Sequence, residues 1–229
     1  VMALLKANTQ TITIFGKAWD LHVTEILRAT LEENLAIVEN TVRFLKENNR
    51  EVIFAAEHFF DGYAANPDYA LKVLEAAKRG GADALCLCDT NGGTAPLALY
   101  EAVKRVCADF ADIRVAIHCH NDAGCAVANS LLAVEAGAAQ VQGTFIGFGE
   151  RCGNADLSAV IANLKLKCGY EMPNLKIETL SETAIRIAEI ANLNIPGDRP
   201  FIGKSAFAHK GGMHIDGVSK LSKSFEHID

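Results

Sequence analysis

The 229-residue chain has no CxxC pair, and its seven cysteines (Cys86, Cys88, Cys107, Cys119, Cys125, Cys152 and Cys168) are odd in number. That argues against a disulfide framework and against a thiolate zinc site; most are expected as small core residues. No window approaches 18 consecutive apolar residues, so no transmembrane helix is expected. The first residues, VMALLK, carry neither a basic leader nor an apolar run of signal length, and the expected location is the cytoplasm. Basic blocks are absent too: 22 Lys and Arg against 28 Asp and Glu leave a net charge of −6. Duplex nucleic acid and membrane surfaces are therefore not expected partners.

With 50% hydrophobic and 22% charged residues, the composition is that of a soluble globular protein able to bury a full core. Apolar or β-branched runs ending in polar or glycine-rich residues begin near Thr11, Glu51, Ala84, Arg114 and Ala139. Each reads as a buried parallel strand followed by a loop. Helix-periodic stretches lie between and after them, at about residues 24–47, 67–79, 96–110, 125–136 and 155–167. Pro67 and Pro96 suit first helical turns, Asn66 suits an N-cap, and Gly80, Gly81 and Gly137 suit helix ends. The pattern predicts five βα units in about 160 residues, where a closed (β/α)₈ barrel takes about 250. Either an open five-stranded sheet or a barrel lacking units at one end fits. Beyond residue 166 come one amphipathic helix (about 178–192), the turn IPGDRP and the segment AFAHKGGMHIDGV.

Polar residues gather after the strands: Lys17, Glu57, His58, Asp89, Thr90, His118, His120, Asn121 and Thr144. Active sites of α/β folds lie at that end of the strands. The sharpest signal is IHCHND, residues 117–122, because a strand's period of two points His118 and His120 to one face, where both imidazoles can reach one metal ion. Asp89, Asp122 and Asn154 are candidates to complete such a shell. Glu57 ends the strand EVIFAAE and would project towards the same mouth, in reach of general acid or base work. The segment GFGERCG, residues 147–153, has GxGxxxG spacing and no following strand, which excludes a dinucleotide fingerprint. His22, His58 and His227 are expected as structural or solvated, and His209 and His214 are weak signals alone.

These residues resemble the acyl-CoA-dependent carboxylate synthases, the 2-isopropylmalate, homocitrate and citramalate synthase family. HCHNDAGCAVANSLLAVEAGAAQVQGTFIGFGERCGNADL is similar to that family's signature, and TITIFGKAWDLHVTEIL, AEHFFDGYAANPDYAL, LCDTNGGT and SAFAHKGGMH look most like its bacterial (R)-citramalate branch. The resemblance runs over residues 10–229 and implies a partial TIM (β/α)₈ barrel, strands 4 to 8 with their helices, over residues 1–173. The start of a helical linker subdomain would follow over 174–229. The family's opening DTTLRDG-type strand is not in this sequence. Ala55 and Thr13 depart from the serine and histidine frequent in isopropylmalate synthases.

By resemblance, His118 and His120 are metal ligands with Asn154 close to the ion, the third ligand being an aspartate of that opening motif. Glu57 and His214 are catalytic, the latter reaching into a partner subunit's site of a homodimer. Thr90 contacts the oxo acid's carboxylate, and Lys17 and Thr144, also at strand ends, complete the expected substrate-binding set. The implied reaction condenses acetyl-CoA with a 2-oxo acid, pyruvate giving (R)-citramalate in branched-chain amino-acid biosynthesis, with a divalent ion (Zn, Mn, Co or Mg). The alternatives are an isopropylmalate synthase using 2-oxoisovalerate, a 3-hydroxy-3-methylglutaryl-CoA lyase-like enzyme, or an inactive fragment.

Overall fold

The computed structural model describes residues 1–228. They form two compact units: Val1–Gly143 with Gly149–Ala155, and Thr144–Phe148 with the residues from Asp156 onward. In chain order the first contains α1 (Met2–Lys6), β1 (Thr11–Lys17), a π-helical turn (His22–Leu27), α2 (Leu31–Glu47), β2 (Glu51–Glu57), α3 (Phe59–Ala65), α4 (Pro67–Gly80), β3 (Ala84–Asp89), α5 (Pro96–Asp109), β4 (Arg114–Cys119), α6 (Ala126–Glu135) and β5 (Gln140–Gln142). The second contains α7 (Leu157–Leu166), α8 (Leu180–Ala191) and α9 (Gly212–Lys220).

The sheet is entirely parallel, in the order β1-β2-β3-β4-β5. Parallel crossovers are right-handed, so a strand order that never reverses puts every connecting helix on one face. That is the winding of a barrel wall and not of a doubly wound sheet, whose order reverses at a switch point. On the helix side lie Ile12, Val52, Phe54, Leu85, Leu87, Val115 and Ile117, all buried. On the other side Ile53, Ala84, Cys86, Cys88 and Ala116 form a second cluster with Ala55. A row of polar residues crosses the C-terminal end of this second face: Lys17 beside Glu57 on β1 and β2, and His118 between Cys88 and Gln142 on β3 and β5.

Local chemistry explains most boundaries. Thr30 and Glu33 make a reciprocal capping box at the start of α2, satisfying two orphan amides at about 1 kcal/mol for the cap. Asn66 caps α4 ahead of Pro67, and Gly81 ends it in the left-handed region.

Several expectations need correction. The stretch 24–47 is not one helix: the π-helical turn stops at Arg28, whose left-handed backbone breaks the run before Thr30 restarts it. β5 is three half-buried residues, because the chain turns at Phe145–Gly147. β1 is not buried on both faces: Thr11, Thr13 and Phe15 are exposed, Phe15 at 72%. α3 occupies the stretch after β2 that reads as loop. Only Cys86, Cys88 and Cys119 of the seven free cysteines are buried, while Cys152 and Cys168 are exposed. Among the described residues no helix is long and apolar enough to cross a membrane.

Candidate functional site

Strand β4 delivers His118 to the polar end of the sheet, and a short ladder carries the chain two residues further. Asn121 N–H donates to the Gly153 carbonyl and Ala155 N–H to the Cys119 carbonyl, each at 2.9 Å. Between those bonds His120 and Asn154 face one another as an antiparallel bridge pair. The imidazoles of His118 and His120 have centroids 5.2 Å apart at 68°, and the Nδ1 atom of each is buried with no hydrogen-bond partner. Burial, then the neighbouring His120, lowers the pKa of His118 despite hydrogen bonding to Asn154 and Gln142. Burial, then Arg151, lowers that of His120. Both rings are thereby biased to the neutral form that binds metal ions.

Buried imidazole nitrogens without partners cost free energy unless something coordinates them, so this pair fits part of a metal shell. Neither acidic candidate completes it. Asp89 points to the helix side of β3, buried, and its carboxylate accepts from the Thr94 hydroxyl at 2.7 Å; burial raises its pKa against that bond. Asp122 is held by Arg151, with Nε to Oδ1 at 2.7 Å and Nη2 to Oδ2 at 2.9 Å, and these bonds lower its pKa. Among the described residues no group of three or more His, Cys, Asp or Glu side chains could hold a metal ion.

At the other end of the row the Lys17 ammonium donates to a Glu57 carboxylate oxygen, as register predicts for directly paired residues. His58 follows in a left-handed conformation (φ 57°) that turns the chain out of β2 into α3. Its N–H donates to Thr90 Oγ1 at 2.8 Å, and its Nδ1 lies 3.1 Å from Asp61 Oδ2. A hydroxyl engaged as acceptor keeps its own proton to donate, so Thr90 is set to donate towards an oxygen. The His22 ring stacks on Trp19 at 5.1 Å and sits 4.1 Å from the His58 ring, where burial and then His58 lower its pKa.

Thr144 and His214 belong to the second unit. Thr144 Oγ1 donates to the Phe148 carbonyl at 2.5 Å. His214, exposed on α9, stacks on Phe225 at 4.2 Å.

A profile of HMGL-like proteins matches residues 1–187. The chain belongs to the HMGL-like family. It is 56% identical over 230 residues to an (R)-citramalate synthase of Aquifex aeolicus, an alignment covering 100% of this chain and 44% of that protein. A probable 2-isopropylmalate synthase of Methanosarcina mazei is 34% identical over 224 residues, 98% of this chain and 42% of the relative. The chain thus spans less than half the length of these curated relatives. In fold it is similar to an HMG-CoA lyase of Acinetobacter baumannii, solved in complex with coenzyme A and 3-methylmalate, with TM-score 0.74 and 18% identity over 92% of this chain and 71% of that one.

Within this HMGL-like chain the structure brings Lys17 to Glu57, and His118 to His120 and Asn154. It adds Gln142 and Trp19, which the sequence does not single out, and brings His22 and His58 together. Gln142 lies beside His118 in register, and a Gln-x-Gln in the last strand, where apolar residues were expected, was the available signal. His22, His58 and Trp19 form a ring group, with His22 stacked on Trp19 and tilted against His58; their positions just after β1 and β2 were visible, but their approach was not.

Proposed function

We propose that the protein containing this chain condenses acetyl-CoA with a 2-oxo acid, pyruvate giving (R)-citramalate, as a divalent-metal-dependent acyltransferase in branched-chain amino-acid biosynthesis in the cytoplasm. The observation that carries the reading is the identity gradient: 56%, 50% and 48% to (R)-citramalate synthases against 34% to 36% to probable 2-isopropylmalate synthases. Residues 1–173 are read as part of the catalytic barrel and 174–229 as the start of a linker subdomain. His118, His120 and Asn154 would hold the ion, with the remaining acidic ligand from outside this sequence. When bound, a divalent ion supplies Lewis-acid polarisation of the oxo acid's carbonyl.

The chain's own groups have distinct tasks. Thr90 donates its hydroxyl proton to the oxo acid's carboxylate, and Lys17 supplies positive charge beside it. Glu57 exchanges a proton during the condensation: the acetyl methyl group loses one, a carbon–carbon bond forms to the carbonyl carbon, and the former carbonyl oxygen gains one. Water then cleaves the thioester, giving a carboxylate and free CoA. Thr144 belongs to the substrate-binding set, and His214 serves the site of a second subunit in a homodimer.

The test is substrate choice. The specificity constant for pyruvate is expected to exceed that for 2-oxoisovalerate, measured by acetyl-CoA-dependent CoA release, and the opposite order would overturn the pyruvate assignment.

A further inference from the structure

One guanidinium joins three successive loops at the polar end of the sheet. Arg151, in the segment after β5, grips the Asp122 carboxylate with two bonds in the loop after β4. The same Nη2 also donates to the Thr90 carbonyl, in the loop after β3, at 2.8 Å. The loops are in close contact at this point. Ala123 N–H donates to the Gly92 carbonyl at 2.8 Å, and a Cβ on Gly92, which lies at φ +64°, would stand 2.4 Å from Asp122 Oδ2 and 2.9 Å from the His120 carbonyl carbon. Three residues beyond Arg151, Asn154 faces His120. Thr90 is likewise held from the other direction, its hydroxyl accepting from His58 N–H.

We infer that Arg151 is a positioning residue that fixes two halves of the site relative to each other: the Thr90 loop, and the His120 and Asn154 pair. Stability alone does not account for it. Its side chain is 42% exposed and that of Asp122 25%, and ion pairs so placed contribute little to folding. Its three bonds instead anchor the loop that presents Asn154. The arrangement differs from a surface ion pair in that the cation also holds a main-chain oxygen of the residue assigned to the substrate. The metal part of this inference rests on the reading of His118 and His120 given above.

The experiment compares parent protein, Arg151→Gln, Arg151→Lys and Asp122→Asn. Amide hydrogen exchange at Asn121 and Ala155, whose bonds pin residues 153–155, is read against sheet amides as an internal standard, and zinc affinity is read by competition with a chromophoric chelator. Arg151→Gln is expected to speed exchange at Asn121 and Ala155 about tenfold or more, leave the sheet amides unchanged, and weaken zinc binding about 10- to 100-fold, the range for groups that orient metal ligands. Arg151→Lys should fall between parent and Arg151→Gln, since one ammonium cannot keep both the paired carboxylate and the carbonyl. Unchanged exchange at both amides overturns the inference. So does exchange that rises equally in the sheet amides, which marks a merely structural role. If the parent binds no zinc, the metal reading fails while the exchange arm still decides the positioning of the loop.

Discussion

Substituting Gly62 by alanine sets helix propensity against close packing, and the structure says which wins. Gly62 lies inside α3, where alanine is favoured over glycine by about 1 kcal/mol. A Cβ there would stand 2.4 Å from the Ala18 carbonyl oxygen, 2.9 Å from Trp19 Cα and 3.0 Å from the Ala18 carbonyl carbon. Carbon-to-oxygen contacts are ordinarily no shorter than about 3.3 Å, so the neighbouring backbone must retreat by about 1 Å. That backbone is anchored: Ala18 is buried, and its N–H donates to the Glu57 carbonyl at 3.0 Å. Overpacking of this kind costs about 1 to 3 kcal/mol, and a backbone obstacle belongs at the upper end. The net expectation is a loss of about 2 kcal/mol, or about 4 to 8 °C in melting temperature for a chain of this size. Trp19 is the only tryptophan and sits at the contact, so its fluorescence in a urea titration reports the change directly. A Gly62→Ala variant as stable as the parent, or more stable, would mean that the Ala18 backbone yields without cost.

Asp83 carries an acid-sensitive contribution to stability. Its carboxylate accepts from Lys46 Nζ at 2.6 and 2.8 Å and from Val52 N–H at 2.7 Å; burial raises its pKa, but these bonds outweigh burial and lower it. A folded pKa below the unfolded one contributes stability above the unfolded value, about 3.9, that is lost as pH falls through the folded value. Asp83→Asn should therefore destabilise the protein at pH 7 and flatten the acid limb of a urea-stability profile below about pH 5; profiles parallel to the parent's would refute this. At Gly149 an added Cβ would meet Asn154 Nδ2 at 2.1 Å. Gly149 also lies at φ +159°, so Gly149→Ala should cost about 1 to 3 kcal/mol of stability through backbone strain and, in the folded variant, weaken zinc binding measured by chelator competition. Unaltered affinity would mean that Asn154 does not serve the ion.

The strand starts and the pairing of His118 with His120 were legible because apolar runs ending in polar residues mark parallel strands and period two fixes a shared face. The orientation of Asp89 was not. Every residue of β3 is buried, so the strand offers no polar alternation from which to tell its faces apart. α3 was hidden because FFDGYAA carries a mid-helix glycine retained for the close approach of Ala18, which lowers the local helical signal. The group made by Trp19, His22 and His58 includes a left-handed residue, His58, where a non-glycine side chain gives no warning of positive φ. Arg151 was invisible for a related reason: its partners are a carboxylate and a main-chain oxygen from two other loops, and only the sheet order brings them together.

Free CoA release from acetyl-CoA and pyruvate, followed for the protein that contains this chain with and without a divalent ion and beside its His120→Ala variant, decides whether metal-dependent condensation takes place at this site. Release is expected to require pyruvate and the ion and to be abolished by His120→Ala, with the fold retained by circular dichroism. No pyruvate-dependent release, or near-parental turnover in the variant, would contradict it.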